Sequence, residues 1–275
     1  MNQIIFTSHL MGGLGNQMFQ IAHTLSQGFI HNKKCVFNTL SETPGNGNQP
    51  TKYLNNIFRN INFSENIETD ILLRESTWND ANISIPENKS ITFYGYFQSS
   101  KNFFGFDDEI KKIFSPDESF TKKIYSLYPE LKEENTVSIH IRRGDYLTIT
   151  DILPVIHKSY IDLCLEKIDK INKIFIFCTD KVWVENNLNY PNSVVVNNLE
   201  DYEELWMMSL CKNNIMSNSS FSWWASYLNN SETKKVFVPS IWFGPKGLHP
   251  YFNIYEENWI KVDVIYENGF LERTK

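Results

Sequence analysis

The chain has 275 residues, 41% hydrophobic and 21% charged, which supports one large or two ordinary packed domains and excludes intrinsic disorder. Its net charge is −6 and no basic cluster stands out, which argues against a nucleic-acid partner and against simple electrostatic attachment to an anionic membrane. Cys35, Cys164, Cys178 and Cys211 show neither CxxC pairing nor His-rich spacing, so no metal site is expected, and Cys164 on an apolar helix face and Cys178 in an apolar strand read as reduced core thiols. Met1–Leu10 lacks the basic and apolar regions of a signal peptide, and no apolar run approaches the roughly 18–20 residues of a membrane span. The expected location is the cytoplasm.

In chain order, Gln3–Ser8 is β-rich and precedes a glycine turn. Met18, Ile21, Ala22, Leu25 and Phe29 then recur at helical spacing, which predicts strand, turn and helix. Residues 41–51 form a turn-rich loop, and the Asn-rich stretch 52–90 reads as short helices and connections. Ile91–Phe97 is a further strand. Asp107–Glu134 is helical and charged, broken by Pro116 and Pro129, and a domain boundary is expected near residue 135. This divides the chain into 1–135 and 136–275. The second part opens with a strand over 136–141 and a helix whose Ile161, Cys164, Leu165, Ile168 and Ile171 share a face. Strands at Lys173–Cys178 and Ser193–Val196 follow, with helices over Asp201–Cys211 and Ser219–Leu228 separated by a brief strand at Asn214–Ser217. Lys235–Pro239 is expected to close the sheet. Strands alternating with helices at this pitch predict an α/β fold with parallel sheets.

The chemistry concentrates in His140-Ile141-Arg142-Arg143-Gly144-Asp145-Tyr146. Paired arginines at the carboxyl end of a strand are costly to bury without an anionic partner, and that edge is where open α/β sheets bind ligands. A guanidinium fork matches phosphate geometry, so the motif reads either as a diphosphate grip or as a surface Arg–Asp network. Upstream, Gly12-Gly13-Leu14-Gly15-Asn16-Gln17 precedes a helix, but Gln17 or Met18 stands where the dinucleotide fingerprint needs its third glycine. Downstream, Ser217-Asn218-Ser219-Ser220 leads into a helix carrying Phe221, Trp224, Ala225 and Leu228 on one face. Hydroxyls and N–H groups there make either an anion site or a plain cap. Trp223 and Trp224 read as packing. Asp180 ends an apolar strand, where it either accepts from guanine or caps the next helix.

Taken in order, GGLGNQMFQ, HIRRGDY and SNSSFSWWA resemble the inverting, GDP-fucose-dependent α-1,2-fucosyltransferase family. Weaker echoes lie at Gly95-Tyr96-Phe97-Gln98-Ser99, Cys178-Thr179-Asp180 and Asp201-Tyr202-Glu203-Glu204-Leu205, so the likeness runs from about residue 4 to about residue 245. It implies a GT-B-like architecture of two Rossmann-like domains facing a cleft, with the acceptor on the 1–135 side and the GDP-sugar on the 136–275 side. The implied reaction moves L-fucose from GDP-β-L-fucose to the 2-hydroxyl of a terminal galactose, with inversion. The partners are therefore GDP-fucose and a galactose-terminated glycan, with peripheral membrane contact if that glycan is lipid-linked.

The likeness also assigns residues. Arg142 meets the donor phosphate with Arg143 in support, and His140 orients the nucleotide or the arginine, or is a satisfied core imidazole. Asp180, Ser219, Ser220 and Phe221 complete the donor site, and Gly13, Gly15, Asn16 and Gln17 line the cleft near the diphosphate or the fucose. No Asp-x-Asp motif occurs, which fits a metal-independent enzyme with no cofactor beyond its donor. Positive charge fixed where the departing diphosphate grows negative lowers the barrier directly. Asp145 is the nearest candidate base, with Asp151 and Glu42 as outsiders. Two rivals stand beside this reading. One is a related glycosyltransferase of different acceptor or linkage, suggested by the unusual Leu147–Ile156 stretch. The other is a nucleotide-sugar- or glycan-binding protein without turnover.

Overall fold

Short β-branched and aromatic runs do alternate with helices, and their contacts sort the chain into two compact units. A computed structural model describes residues 3–40, 47–75 and 84–274; Glu42 lies outside them.

The first unit comprises Met1–Ser115 with Pro250–Glu256. Its elements are β1 (Ile5–Ser8), α1 (Leu14–His31), β2 (Lys34–Cys35), β3 (Phe37–Asn38), β4 (Phe63–Ser64), β5 (Ile71–Arg74), β6 (Ile91–Tyr94) and α2 (Asp107–Phe114). The main sheet runs β2–β1–β6–β5 with every pair parallel. β3 and β4 form a separate parallel pair. β4 and β5 fall in the stretch read from sequence as helices and connections. They are short, and β5 alternates half-buried with exposed residues, as an edge strand does. α1 also departs from the simple stripe: Phe29 is exposed, whereas Gln17, Gln20, His23 and Thr24 are buried. Gln20 is satisfied locally: its side chain accepts from the Met11 N–H at 2.9 Å and donates to the Met11 carbonyl at 3.2 Å.

The second unit comprises Pro116–His249 with Glu257–Lys275. It contains α3 (Glu118–Leu127), β7 (Thr136–Ile141), β8 (Val155–Ile156), α4 (Lys158–Leu165), β9 (Lys173–Cys178), α5 (Lys181–Asn187), β10 (Ser193–Val195), α6 (Asp201–Leu210), β11 (Asn213–Ile215), α7 (Ser220–Leu228), β12 (Val236–Pro239), β13 (Ile260–Val262), β14 (Val264–Glu267) and β15 (Phe270–Arg273). The main sheet has order β10–β9–β7–β11–β12–β13, parallel throughout. β7 is buried along its whole length, as a central parallel strand covered on both faces must be. β13 lies outside β12, so Lys235–Pro239 does not close the sheet. β14 and β15 form an antiparallel pair with β8 alongside.

The contacts divide the units at Ser115/Pro116, earlier than the expected 135. The reason is visible in α3: Phe120 packs on Trp206 with ring centroids 5.1 Å apart, and Lys123 reaches Glu203 at 2.6 Å. α3 is thereby tied to α6. Among the described residues no helix is long and apolar enough to cross a membrane.

Candidate active site

In the second unit, the chain leaves β7 toward β9 and leaves β11 toward β12, on opposite sides. The carboxyl ends of β7 and β11 therefore flank the point where an open α/β sheet forms its ligand crevice. The motif residues gather at this edge: Arg142 and Arg143 follow β7, Asp180 follows β9, and Ser217–Ser220 follow β11.

The two arginines are employed differently. Arg142 is about one-third exposed, and it meets Asp145 through two parallel contacts, Nε to Oδ1 at 2.9 Å and Nη2 to Oδ2 at 3.0 Å. This fork leaves the far edge of the guanidinium unused by Asp145, with geometry suited to a phosphate. Arg143 is largely buried. Its Nε donates to Asp180 Oδ2 at 3.0 Å, and its guanidinium lies 4.3 Å from the Trp183 ring centroid. Asp180 also accepts from the Trp183 N–H at 3.1 Å, which caps α5. The bond from Arg143, then that from Trp183, holds the Asp180 carboxyl below the usual carboxylate range. Both its oxygens are thus engaged within the protein, which gives Asp180 the capping employment rather than a ready guanine contact.

His140 is buried, with Nδ1 2.9 Å from Ser217 Oγ and its ring 5.3 Å from that of Phe221. Burial, with the nearby positive charge of Arg142, lowers its pKa to about 3. It is a neutral imidazole, able to orient neighbours but not to counter a phosphate charge. Tyr146 donates to the Asn218 carbonyl at 3.1 Å, and the Asn218 amide donates to the Trp242 carbonyl at 2.8 Å. These bonds knit the arginine motif to the serine turn. Ser219 flanks α7 and accepts from the Phe221 N–H at 3.3 Å, while Ser222 bonds the carbonyls of Ser217 and Ser219. Trp223 and Trp224 are both fully buried, packed with Tyr227.

Of the candidate bases, Asp145 spends both oxygens on Arg142. Asp151 lies in a different cluster, 2.8 Å from Lys246 Nζ and 2.8 Å from the Tyr266 hydroxyl. Among the described residues no group of three or more His, Cys, Asp or Glu is placed to hold a metal ion.

A carboxylate that the sequence reading passed over is Glu204 on α6. It lies in the first turn of α6, the helix that follows β10, and so stands at the carboxyl edge of the same sheet. Desolvation is the main cause raising its pKa to about 7; Asp201 adds to the effect and Lys181 opposes it. No hydrogen-bond partner for its side chain is found among the described residues. Its place in the DYEEL echo was the one available signal.

In the first unit, Gly12 has φ +76, and a Cβ there would stand 2.3 Å from Asn16 Nδ2. Gly13 flanks α1 and Gly15 is buried within it. Gln17 is fully buried; its Nε2 donates to the carbonyls of Gly12 at 3.0 Å and Asn48 at 2.8 Å. Asn16 Oδ1 accepts from Gln98 Nε2 at 2.6 Å. The glycine turn and the Gly95–Ser99 turn therefore meet at the carboxyl edge of this unit's sheet.

A sequence profile of glycosyl transferase family 11 matches residues 1–263. The alpha-1,2-colitosyltransferase of Escherichia coli is 27% identical over 292 residues, covering 94% of this chain and 99% of the relative. The O-antigen biosynthesis glycosyltransferase WbnK of Escherichia coli is 30% identical over 284 residues, covering 86% and 94%. Among solved structures, the NodZ alpha-1,6-fucosyltransferase soaked with GDP-fucose superposes with TM-score 0.54 at 12% identity, covering 82% of this chain and 93% of that one. At that identity the superposition speaks for the fold, two Rossmann-like units of the GT-B class. A profile match across nearly the whole length, joined to an arginine motif at the switch point of a parallel sheet, shows that the chain belongs to glycosyl transferase family 11.

Proposed function

We propose that the protein transfers L-fucose from GDP-β-L-fucose to the 2-hydroxyl of a galactose-terminated glycan, with inversion and without a metal ion. The observation that carries this is the Arg142–Asp145 fork at the carboxyl end of β7, facing the serine turn after β11. Arg142 would take the β-phosphate on the edge that Asp145 does not use. As the sugar–phosphate bond breaks, charge grows on that phosphate, and a guanidinium already held in place stabilises it without reorganisation. We assign to Asp145 the orientation of Arg142 rather than removal of the acceptor proton, because a carboxylate holding a guanidinium by both oxygens is a weakened base. Neutral His140 would position Ser217 and the nucleotide. Arg143 and Asp180 stiffen the strand end. We assign guanine to Glu204, since a carboxylate can accept from N1–H and N2–H together, a pairing adenine does not offer.

A second reading has one specific support: a relative named as a colitosyltransferase. Colitose lacks the 3-hydroxyl of fucose, so the two donors differ by a single group. The experiment is NMR of products from GDP-fucose and GDP-colitose with a panel of defined galactosides, run with and without excess EDTA. An α-1,2-fucosyl product formed in EDTA is expected. A product only from GDP-colitose would replace the donor, another linkage would replace the acceptor hydroxyl, and donor binding without any product would favour the binding-protein alternative. Loss of product in EDTA, restored by Mg²⁺ or Mn²⁺, would overturn the metal-independent reading.

A further inference from the structure

Seven non-glycine residues among those described have positive φ; six are asparagines and the seventh is Phe97, at φ +51. Asparagine enters this region because its short side chain bonds locally; a fully buried phenylalanine has no such compensation and must be held there. Three neighbouring side chains hold it there. Glu75 Oε2 accepts from the N–H of Tyr96 at 2.9 Å and of Phe97 at 3.2 Å. Asn102 Nδ2 donates to the Phe97 carbonyl at 3.1 Å, and the Phe97 ring stacks on His23 at 4.0 Å. Gly95 makes room for the carboxylate, since a Cβ there would lie 2.5 Å from Glu75 Cβ.

What this arrangement delivers is the next residue, Gln98. It meets Asn16 Oδ1, and Ser99 fixes the far side of the turn by donating to the Asn253 carbonyl at 2.7 Å. Asn16 comes from the segment after β1 and Gln98 from the turn after β6. β1 and β6 are neighbours in the sheet, and β1 feeds β2 on the side away from β6. The two amides therefore meet at the carboxyl ends of adjacent parallel strands, the edge at which open α/β sheets hold ligands. Beside them on α1, Gln17 is fully buried and its Oε1 has no hydrogen-bond partner among the described residues. Amides carry donor and acceptor groups side by side and no net charge, which suits neighbouring sugar hydroxyls better than a diphosphate.

We propose that Gln98, paired with Asn16, binds hydroxyls of the acceptor sugar, and that Glu75 is the positioning residue that holds Gln98 in place. This rests on the reading of the protein as a transferase acting on galactosides. The test is saturation-transfer NMR of methyl β-galactoside binding in the presence of GDP, together with GDP affinity by calorimetry and acceptor KM where transfer is measurable. Gln98→Ala should weaken galactoside binding about tenfold, the scale of one lost hydrogen bond, with GDP affinity unchanged. Glu75→Ala should do the same. Glu75→Gln, which keeps an oxygen in place to accept both N–H groups, should restore binding. Melting curves separate these effects from loss of folding. Galactoside binding by folded Gln98→Ala equal to that of the parent protein, or no galactoside binding by the parent, would overturn the proposal. A shift in GDP affinity instead would move the pair to the donor. Galactoside binding lost in Gln98→Ala while the parent transfers neither fucose nor colitose would uphold the sugar site and sink the transfer reaction.

Discussion

Arg142 and Arg143 are neighbours in sequence, yet the structure gives only one of them a free edge at the surface. Arg143 is packed between Asp180 and Trp183, so Arg143→Ala should act mainly through stability. Arg142→Ala should instead cut turnover by at least about 10²-fold, near 3 kcal/mol, the loss seen when one preorganised charge-stabilising donor is removed. Arg142→Lys should recover only part, because a point charge replaces a fork. Asp145→Asn should weaken GDP binding as well as turnover, since it frees the guanidinium to rotate. A dedicated acceptor base would leave GDP affinity intact, so calorimetry on this variant discriminates the two roles. Glu204 carries a separate expectation. Its pKa is raised to about 7, so in the unliganded protein it is partly protonated at neutral pH. Accepting from guanine favours the carboxylate, so binding should release a proton and GDP affinity should rise between pH 6 and 8. ADP, whose phosphates titrate alike, should show no such added rise, and Glu204→Gln should remove it. Equal pH slopes for GDP and ADP would take Glu204 out of the base site.

The helix α5 shows how one side chain can serve an element and a neighbour at once. Asp180 caps it through Trp183 and neutralises Arg143. Asp180→Ala should lose a cap, about 1 kcal/mol, plus the partner of a largely buried cation, for a total of about 2 kcal/mol or more. Asp180→Asn keeps an oxygen acceptor and should cost less. Urea unfolding measures this directly. A stable Asp180→Asn protein that no longer distinguishes GDP from ADP would return the guanine role to Asp180. The case also marks the limit of sequence reading. β7, β9 and the helix after SNSS were legible, because apolar runs ended at turn or cap residues where the structure ends them. Two short strands were not: Ile71–Arg74 sits within Asn-rich sequence, and Phe270–Arg273 gains its order between its hairpin partner β14 and the distant β8. Asp180 at a strand end was visible, but whether it faced guanine or Arg143 depended on a residue 37 positions away. The left-handed turn at Phe97 and its Glu75 brace had no local signal, since phenylalanine gives no hint of positive φ.

At the scale of the whole chain, each unit contains one histidine kept neutral by burial. His23 is fully enclosed, its ring between Phe97 and Phe93, and neither ring nitrogen finds a hydrogen-bond partner among the described residues; the Asn102 backbone approaches without satisfying that geometry. Desolvation lowers its pKa to about 3, as it does for His140 in the second unit. A histidine with a depressed folded pKa stays neutral while the unfolded chain takes up a proton below about pH 6.5, so stability falls with acid through that range. At pH 5.5 the loss is about 1.4 kcal/mol per histidine. The second unit has an opposing group. Glu204, with its raised pKa, holds a proton that the unfolded chain releases above about pH 4.5, so it adds stability as pH falls from 7 toward 4.5. Between pH 6.5 and 4.5 the two contributions in that unit offset, whereas His23 lowers the stability of the first unit through the same range. Acidification from pH 7 to 5.5 should therefore loosen the first unit selectively. Hydrogen-exchange protection factors, corrected for intrinsic rates, should drop in β1 and α1 and hold in β7 and β9. His23→Phe, which keeps a ring between the two phenylalanines and removes the titration, should abolish the drop. Equal loss of protection in both units would show that neither the isolated histidine nor its counterpart pair controls the acid response.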